Sequence, residues 1–256
     1  MGRLPFYVAF MSLTFLMILC FATAALSVAL VEEDFESYKV DDVLKGDWEV
    51  IGPEPARPTF YVADFPVHAG EKSLRVAYPV GSNETMGVRF DPTMNRISVT
   101  CYTYPTSNQQ TTFQAILGGN IFVEDPDAPP DPAQDEDSYI GAFITFADDG
   151  KVKYYSENGW VDTGTEFNRR EWSKVAIEAA LDTQTYSVSL NDVTIIRNVP
   201  FWHNLDDLSI FAIRRSPQNE GGESFYVDDL VITGSPALVE PKCKLTTTWG
   251  RLKLLS

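Results

Sequence analysis

The chain predicts an all-β, antiparallel sandwich. Short runs alternate apolar and polar residues, the two-residue period of a strand with one buried face. Turn-forming pairs separate these runs, among them Asp149-Gly150, Asn158-Gly159 and Asn191-Asp192. No stretch sustains helical periodicity for three turns, so sheets must carry the core.

The first element is not part of that fold. The run "MGRLPFYVAFMSLTFLMILCFATAALSVA", residues 1–29, has one early Arg3, an apolar centre from Phe6 to Phe21, and then small residues. It reads as a secretory signal peptide, with cleavage expected before Ala25 or Leu30. No second apolar stretch is long enough to span a bilayer, so the mature body is expected to be secreted or held at the cell surface. That body is about 230 residues, the size of one large β domain.

Without Arg3 the chain carries 19 basic and 36 acidic residues, a net charge near −17. Such a surface repels nucleic acid and anionic lipid, so nucleic-acid binding is set aside. Outside the leader only Cys101 and Cys243 remain. An exported location permits a disulfide between them, with two free thiols as the alternative.

The expected strands run in order through "LVEEDFESY", "WEVIG", "PTFYVADF", "KSLRVAYPV", "TMGVRF", "RISVTCYTYP", "TTFQAILGG", "SYIGAFITFA", "KVKYYS", "EWSKVAIEAAL", "YSVSLN", "VTIIRNV", "LSIFAIRR" and "FYVDDLVI". Between the seventh and eighth, the proline-rich, acidic "VEDPDAPPDPAQDEDSY" cannot continue a central strand and reads as a long surface loop. After Gly234 the prolines end the last strand. The tail, residues 236–256, turns basic and reads as a loosely docked terminus.

The last strand poses a question. In "SFYVDDLVITG", regular alternation puts Phe225, Val227, Asp229 and Val231 on one face, and Tyr226, Asp228, Leu230 and Ile232 on the other. Each face is then an apolar row holding one carboxylate. A buried carboxylate needs a partner.

The stretch "EWSKVAIEAALDTQTYSVSLNDVTIIRNVPF", Glu171 to Phe201, sets a tryptophan at the start of a strand, a turn at Asp182-Thr183, a second strand, and a polar turn before a third. With "EEDFESYKVDDVLKGDWEV" and "FYVDDLVI" at the two ends, the chain resembles secreted bacterial members of the laminin-G-like, concanavalin A-like lectin/glucanase superfamily. The resemblance spans roughly Val31 to Thr233, and the domain it implies is residues 30–235. It implies a jelly-roll β-sandwich whose first and last strands lie side by side. It also implies a structural calcium between the ends, with Asp34 or Glu36 and Asp228 as the likeliest ligands and backbone carbonyls completing the shell. Asp229 would then accept hydrogen bonds from backbone amides or from Tyr38.

The strand motif E-x-D-x-x-E of that superfamily's glucanases is absent. His68 and His203, the mature chain's only histidines, match no zinc pattern. No nucleophile elbow or phosphate-binding glycine loop occurs. Binding without catalysis is therefore the preferred reading, with a polysaccharide or cell-surface glycan as ligand. A polysaccharide hydrolase or lyase of the same superfamily is the first alternative, and a structural surface protein the second. Sugars present apolar C–H faces, so rings at strand ends are the candidate contacts. These are Trp160 after the Asn158-Gly159 turn and Trp202 with His203 beside it; Arg214, expected to begin a loop, is the candidate contact for an acidic sugar. Trp48 and Trp172 are expected in the core.

Overall fold

A computed structural model describes residues 27–51, 60–76, 85–106, 113–119, 139–215 and 225–236 of the 256. They form fifteen strands: β1 (Val28–Glu33), β2 (Trp48–Ile51), β3 (Phe60–Ala63), β4 (Ser73–Val76), β5 (Thr85–Arg89), β6 (Met94–Pro105), β7 (Phe113–Gly118), β8 (Ile140–Phe146), β9 (Lys151–Ser156), β10 (Gly159–Glu166), β11 (Ser173–Ala180), β12 (Thr185–Leu190), β13 (Val193–Pro200), β14 (Ile210–Arg215) and β15 (Phe225–Pro236). Every expected run contains a strand. The leader, the acidic insertion, Cys243 and the tail after Pro236 lie outside the described residues. Val28 and Ala29 already belong to β1, so a leader cut before Leu30 would remove two strand residues, whereas a cut before Ala25 spares them.

β10 is the strand the sequence concealed. Its alternate residues Trp160, Asp162, Gly164 and Glu166 are mostly polar, and it pairs only with β9 at the border of its sheet. A border strand needs little apolar sequence because it buries little.

Two antiparallel sheets result. The eight-stranded one runs β13-β12-β11-β6-β15-β4-β3, with β1 also on β15; the seven-stranded one runs β10-β9-β8-β7-β14-β5-β2. Their facing sides make the main core. Val99, Ile177, Val188, Phe225 and Ile232 come from the first sheet, and Val88, Leu117, Ile144, Phe211 and Ile213 from the second. Each such side chain contributes about 1.5–3 kcal/mol by leaving water. The seven-stranded sheet also buries its far side, where Ile116, Phe143, Ile210 and Ala212 pack with Ile51 and Trp202. That explains why β7 and β8 read as continuous apolar runs.

The first and last strands meet as the resemblance implied. β1 pairs antiparallel with β15, from Val28 opposite Gly234 to Glu33 opposite Leu230. β15 therefore has β6 along one edge and two neighbours in succession along the other: β4 beside Phe225–Val227, then β1 from Leu230 onward. Asp228 and Asp229 fall in the gap between them. There β15 bulges against β6, three steps from Asp228 to Val231 spanning only Tyr102 to Thr100, with Asp229 at φ 47°. The extra residue shifts the side-chain phase. Phe225 and Val227 therefore share the core face with Leu230 and Ile232, which corrects the regular alternation expected for this strand.

Candidate functional site

The gap in the β15 edge is filled by a turn preceding β4. Asp228 is fully buried, and its Oδ2 accepts hydrogen bonds from the amides of His68 (2.8 Å) and Ala69 (3.3 Å). Its Oδ1 accepts from the amide of Asp229 (2.8 Å). The carboxylate thus gives the turn the acceptors that a neighbouring strand would have offered. Burial pushes its pKa up, against the pull of the amide hydrogen bonds. The other end of the turn is held by Glu36. Its Oε1 accepts from the amides of Glu71 (2.7 Å) and Lys72 (2.8 Å), and these hold its pKa below the ordinary value, the Glu71 amide foremost. Lys72 Nζ also donates to the Glu36 carbonyl (2.6 Å).

Asp34 accepts from the amide of Glu36, and Tyr38 donates to the Lys45 carbonyl rather than to Asp229. Asp34, Glu36 and Asp228 therefore each serve separate N–H donors. Among the described residues no group of three or more carboxylate, imidazole or thiol side chains converges as a metal site. Carboxylates turned to separate donors in this way do not form a shared calcium shell as they stand.

Asp229 points the other way. Its Oδ2 accepts from His68 Nδ1 at 2.6 Å, which fixes the imidazole and leaves Nε2 on the far side of the ring. The His68 ring stacks on Tyr102 with centroids 3.4 Å apart, and meets the edge of Trp172 at 5.7 Å. From Trp172 the contacts continue to Tyr104 (5.4 Å) and from Tyr104 to Tyr226 (6.3 Å). Strand register makes this a line across the outer face of the eight-stranded sheet. Tyr226 sits opposite Tyr104 on β6 and Arg75 on β4, and Arg75 sits opposite Tyr61 on β3. The four rings Trp172, Tyr104, Tyr226 and Tyr61 are half-buried. Trp172 is thus on the outer face, not in the core, because it lies just ahead of β11, out of phase with inward Ser173 and Val175. Trp48 is in the core as expected.

The remaining candidates gather on the outer face of the other sheet. Trp160 is 37% exposed and packs against Phe143 (4.9 Å) and Tyr155 (5.1 Å). Tyr155 in turn meets Trp202 (4.4 Å), which stacks on His203 (4.5 Å). Trp202 itself is buried. His203 Nδ1 accepts from the Ile140 amide at 3.1 Å, so the neutral ring carries its proton on Nε2, and burial pushes its pKa down. Arg214 does not open a loop; it lies within β14 and is fully buried.

No protein-family profile matches this chain, and no curated protein does either. Solved structures do. A sialidase superposes with TM-score 0.55 at 10% identity, over 80% of this chain and 18% of the sialidase. Lectin II from Ulex europaeus, solved also in complex with galactose, superposes with TM-score 0.50 at 10% identity, over 82% of this chain and 98% of the lectin. The fold is an antiparallel jelly-roll β-sandwich with the concanavalin A-like architecture of these structures. At such identities the likeness covers backbone architecture alone. In this jelly roll, Cys101 faces the core and is fully buried, which pushes its thiol pKa up to about 12.

The sequence pointed to Trp160, Trp202, His203 and Arg214, and missed the line of rings on the opposite sheet. Its signal was present in "RISVTCYTYP". Ile97, Val99 and Cys101 point inward, which forces Tyr102 and Tyr104 outward.

Proposed function

We propose that the protein is an exported, non-catalytic glycan-binding domain of laminin-G-like type, and that its sugar-contacting surface is the outer face of the eight-stranded sheet. One observation carries this reading: Trp172, Tyr104 and Tyr226 form a continuous, partly exposed line across that face, flanked by the oriented His68–Asp229 pair. Rings stack on sugar C–H faces, and the neighbouring imidazole and carboxylate supply hydrogen bonds that fix orientation. The lectin jelly roll supports the reading by architecture. A polysaccharide or cell-surface glycan is the ligand class. A hydrolase or lyase is the less favoured alternative.

A glycan array on the mature protein, paired with a reducing-end assay on every polysaccharide that binds, tests this. Retention without new reducing ends, lost in Trp172→Ala, is expected. New reducing ends would make the protein an enzyme, and binding unaffected by Trp172→Ala would remove this face from the site.

A further inference from the structure

The loop between β3 and β4, residues 64–72, runs alongside the line of rings on the eight-stranded sheet. Register fixes the two directions. Tyr61, Arg75, Tyr226 and Tyr104 occupy one level across β3, β4, β15 and β6, and Ala63, Ser73, Asp228 and Tyr102 occupy the next. The loop leaves β3 at Ala63 and carries His68 across β15 to stack on Tyr102 and meet Trp172. It therefore borders the ring line from the β3 side to the β6 side.

This border is fixed in place. Asp228 accepts the His68 and Ala69 amides, and Glu36 accepts those of Glu71 and Lys72. The buried Ser73 hydroxyl donates to the Pro66 carbonyl at 2.7 Å. Between β3 and these anchors stands Phe65, 77% exposed, the most exposed large apolar side chain among the described residues. Folding gains little from a ring left in water. A ring presented by a loop already ordered can cover a ligand at a small entropic cost.

Strand order also sets the length of the line. Trp172 lies just ahead of β11, and β11-β6-β15-β4-β3 are successive neighbours. Four inter-strand steps make the line from Trp172 to Tyr61 roughly 19 Å long. An extended sugar chain advances by about one strand spacing, ~5 Å, per unit, so the line accommodates about four units.

We infer that the aromatic face, taken as the sugar-contacting surface proposed above, reads an extended stretch of about four sugar units, with Phe65 covering the unit at the β3 end and His68 contacting the unit at Trp172. A single terminal sugar would leave most of that line unused.

The test is calorimetric titration of the mature protein with unbranched oligosaccharide ladders of two to six units. The ladders are 1,4-linked gluco-, xylo-, manno- and galacto-oligosaccharides and 1,3-linked gluco-oligosaccharides. At least one ladder is expected to bind, with affinity rising roughly tenfold or more from two to four units and levelling beyond. Phe65→Ala is expected to remove most of that rise with Tm unchanged, and Phe65→Tyr to retain it. Trp172→Ala is expected to weaken every length. Affinity that is flat from two units upward, or a six-unit ligand unaffected by Phe65→Ala, overturns the inference. If that binding still depends on Trp172, the proposed function stands without it. Binding of no ladder also overturns the inference, and the proposed function then survives only if an arrayed branched or terminal glycan binds through Trp172.

Discussion

Replacing Asp228 by alanine is the sharpest perturbation of this fold. The carboxylate accepts three backbone N–H groups, two of them 2.8 Å away, in a position closed to solvent. Each hydrogen bond to a charged acceptor is worth about 1.5–3 kcal/mol when its buried donor would otherwise be orphaned. The 3.3 Å bond to Ala69 is the weakest, and part of the gain is offset by the cost of burying the charge. The expected loss is about 3–4 kcal/mol, a fall in Tm of roughly 6–16 °C for a domain of this size. Asp228→Asn keeps one acceptor oxygen without the charge and is expected to lose about half as much. The His68 amide is expected to lose protection from hydrogen exchange in Asp228→Ala. Because burial holds the carboxyl above its unfolded value of 3.8, ionisation costs the folded state. This group therefore favours folding most below pH 3.8, and that contribution declines as pH rises through the raised value. Asp228→Ala abolishes this pH dependence. Chemical denaturation and exchange by NMR measure both effects. A loss under 0.5 kcal/mol, or equal losses for alanine and asparagine, would refute the role given to this carboxylate.

Trp172→Ala and Tyr104→Ala are expected to weaken glycan binding roughly tenfold to a hundredfold with little change in Tm, since these rings stand on the solvent side of the sheet; titration of the bound glycan checks it. His203, whose pKa is pushed below 6.5 by burial, lends stability that is complete above pH 6.5 and lost as pH falls through the lowered value. His203→Gln is expected to flatten the Tm–pH curve across that window. EGTA is expected to leave Tm unmoved, because amides already occupy both oxygens of Asp228 and one of Glu36, whose other oxygen faces Lys72; a drop of several degrees, absent in Asp228→Ala, would restore calcium at the strand ends. Cys101 is expected to resist iodoacetamide at pH 8 until denaturant is added, as its thiol titrates only near 12; mass spectrometry reads the modification.

Much of the fold was legible because burial imposes a period. A strand with one covered face must alternate, and a strand covered on both must be apolar throughout, so β6 and β11 announced themselves one way and β7 and β8 the other. Turn residues did the same for hairpins: Asn191 and Asp192 sit at φ 50° and 65°, a conformation few other residues accept readily. β10 escaped because a border strand answers to one neighbour and little core. The candidate site was legible only in part. Trp160, Trp202 and His203 do come together, but Trp202 is consumed by packing. The line Trp172–Tyr104–Tyr226 joins residues up to 122 positions apart in the chain, which only strand order places side by side.

The sequence by itself determined most of the segments that became strands and, outside β10 and the bulge in β15, most of the side chains turned toward the core, because those depend on neighbours two positions away. It also determined that the paired aspartates near the C-terminus needed partners. Tertiary structure alone decided what those partners are. β15 lies next to β4 and then β1, and the break between them leaves two aspartates with no strand to face, so a turn 160 residues away supplies amides and an imidazole instead. Hydrogen-bonding groups left by a discontinuous edge take whatever the fold brings within reach, and that is a property of strand order rather than of local sequence.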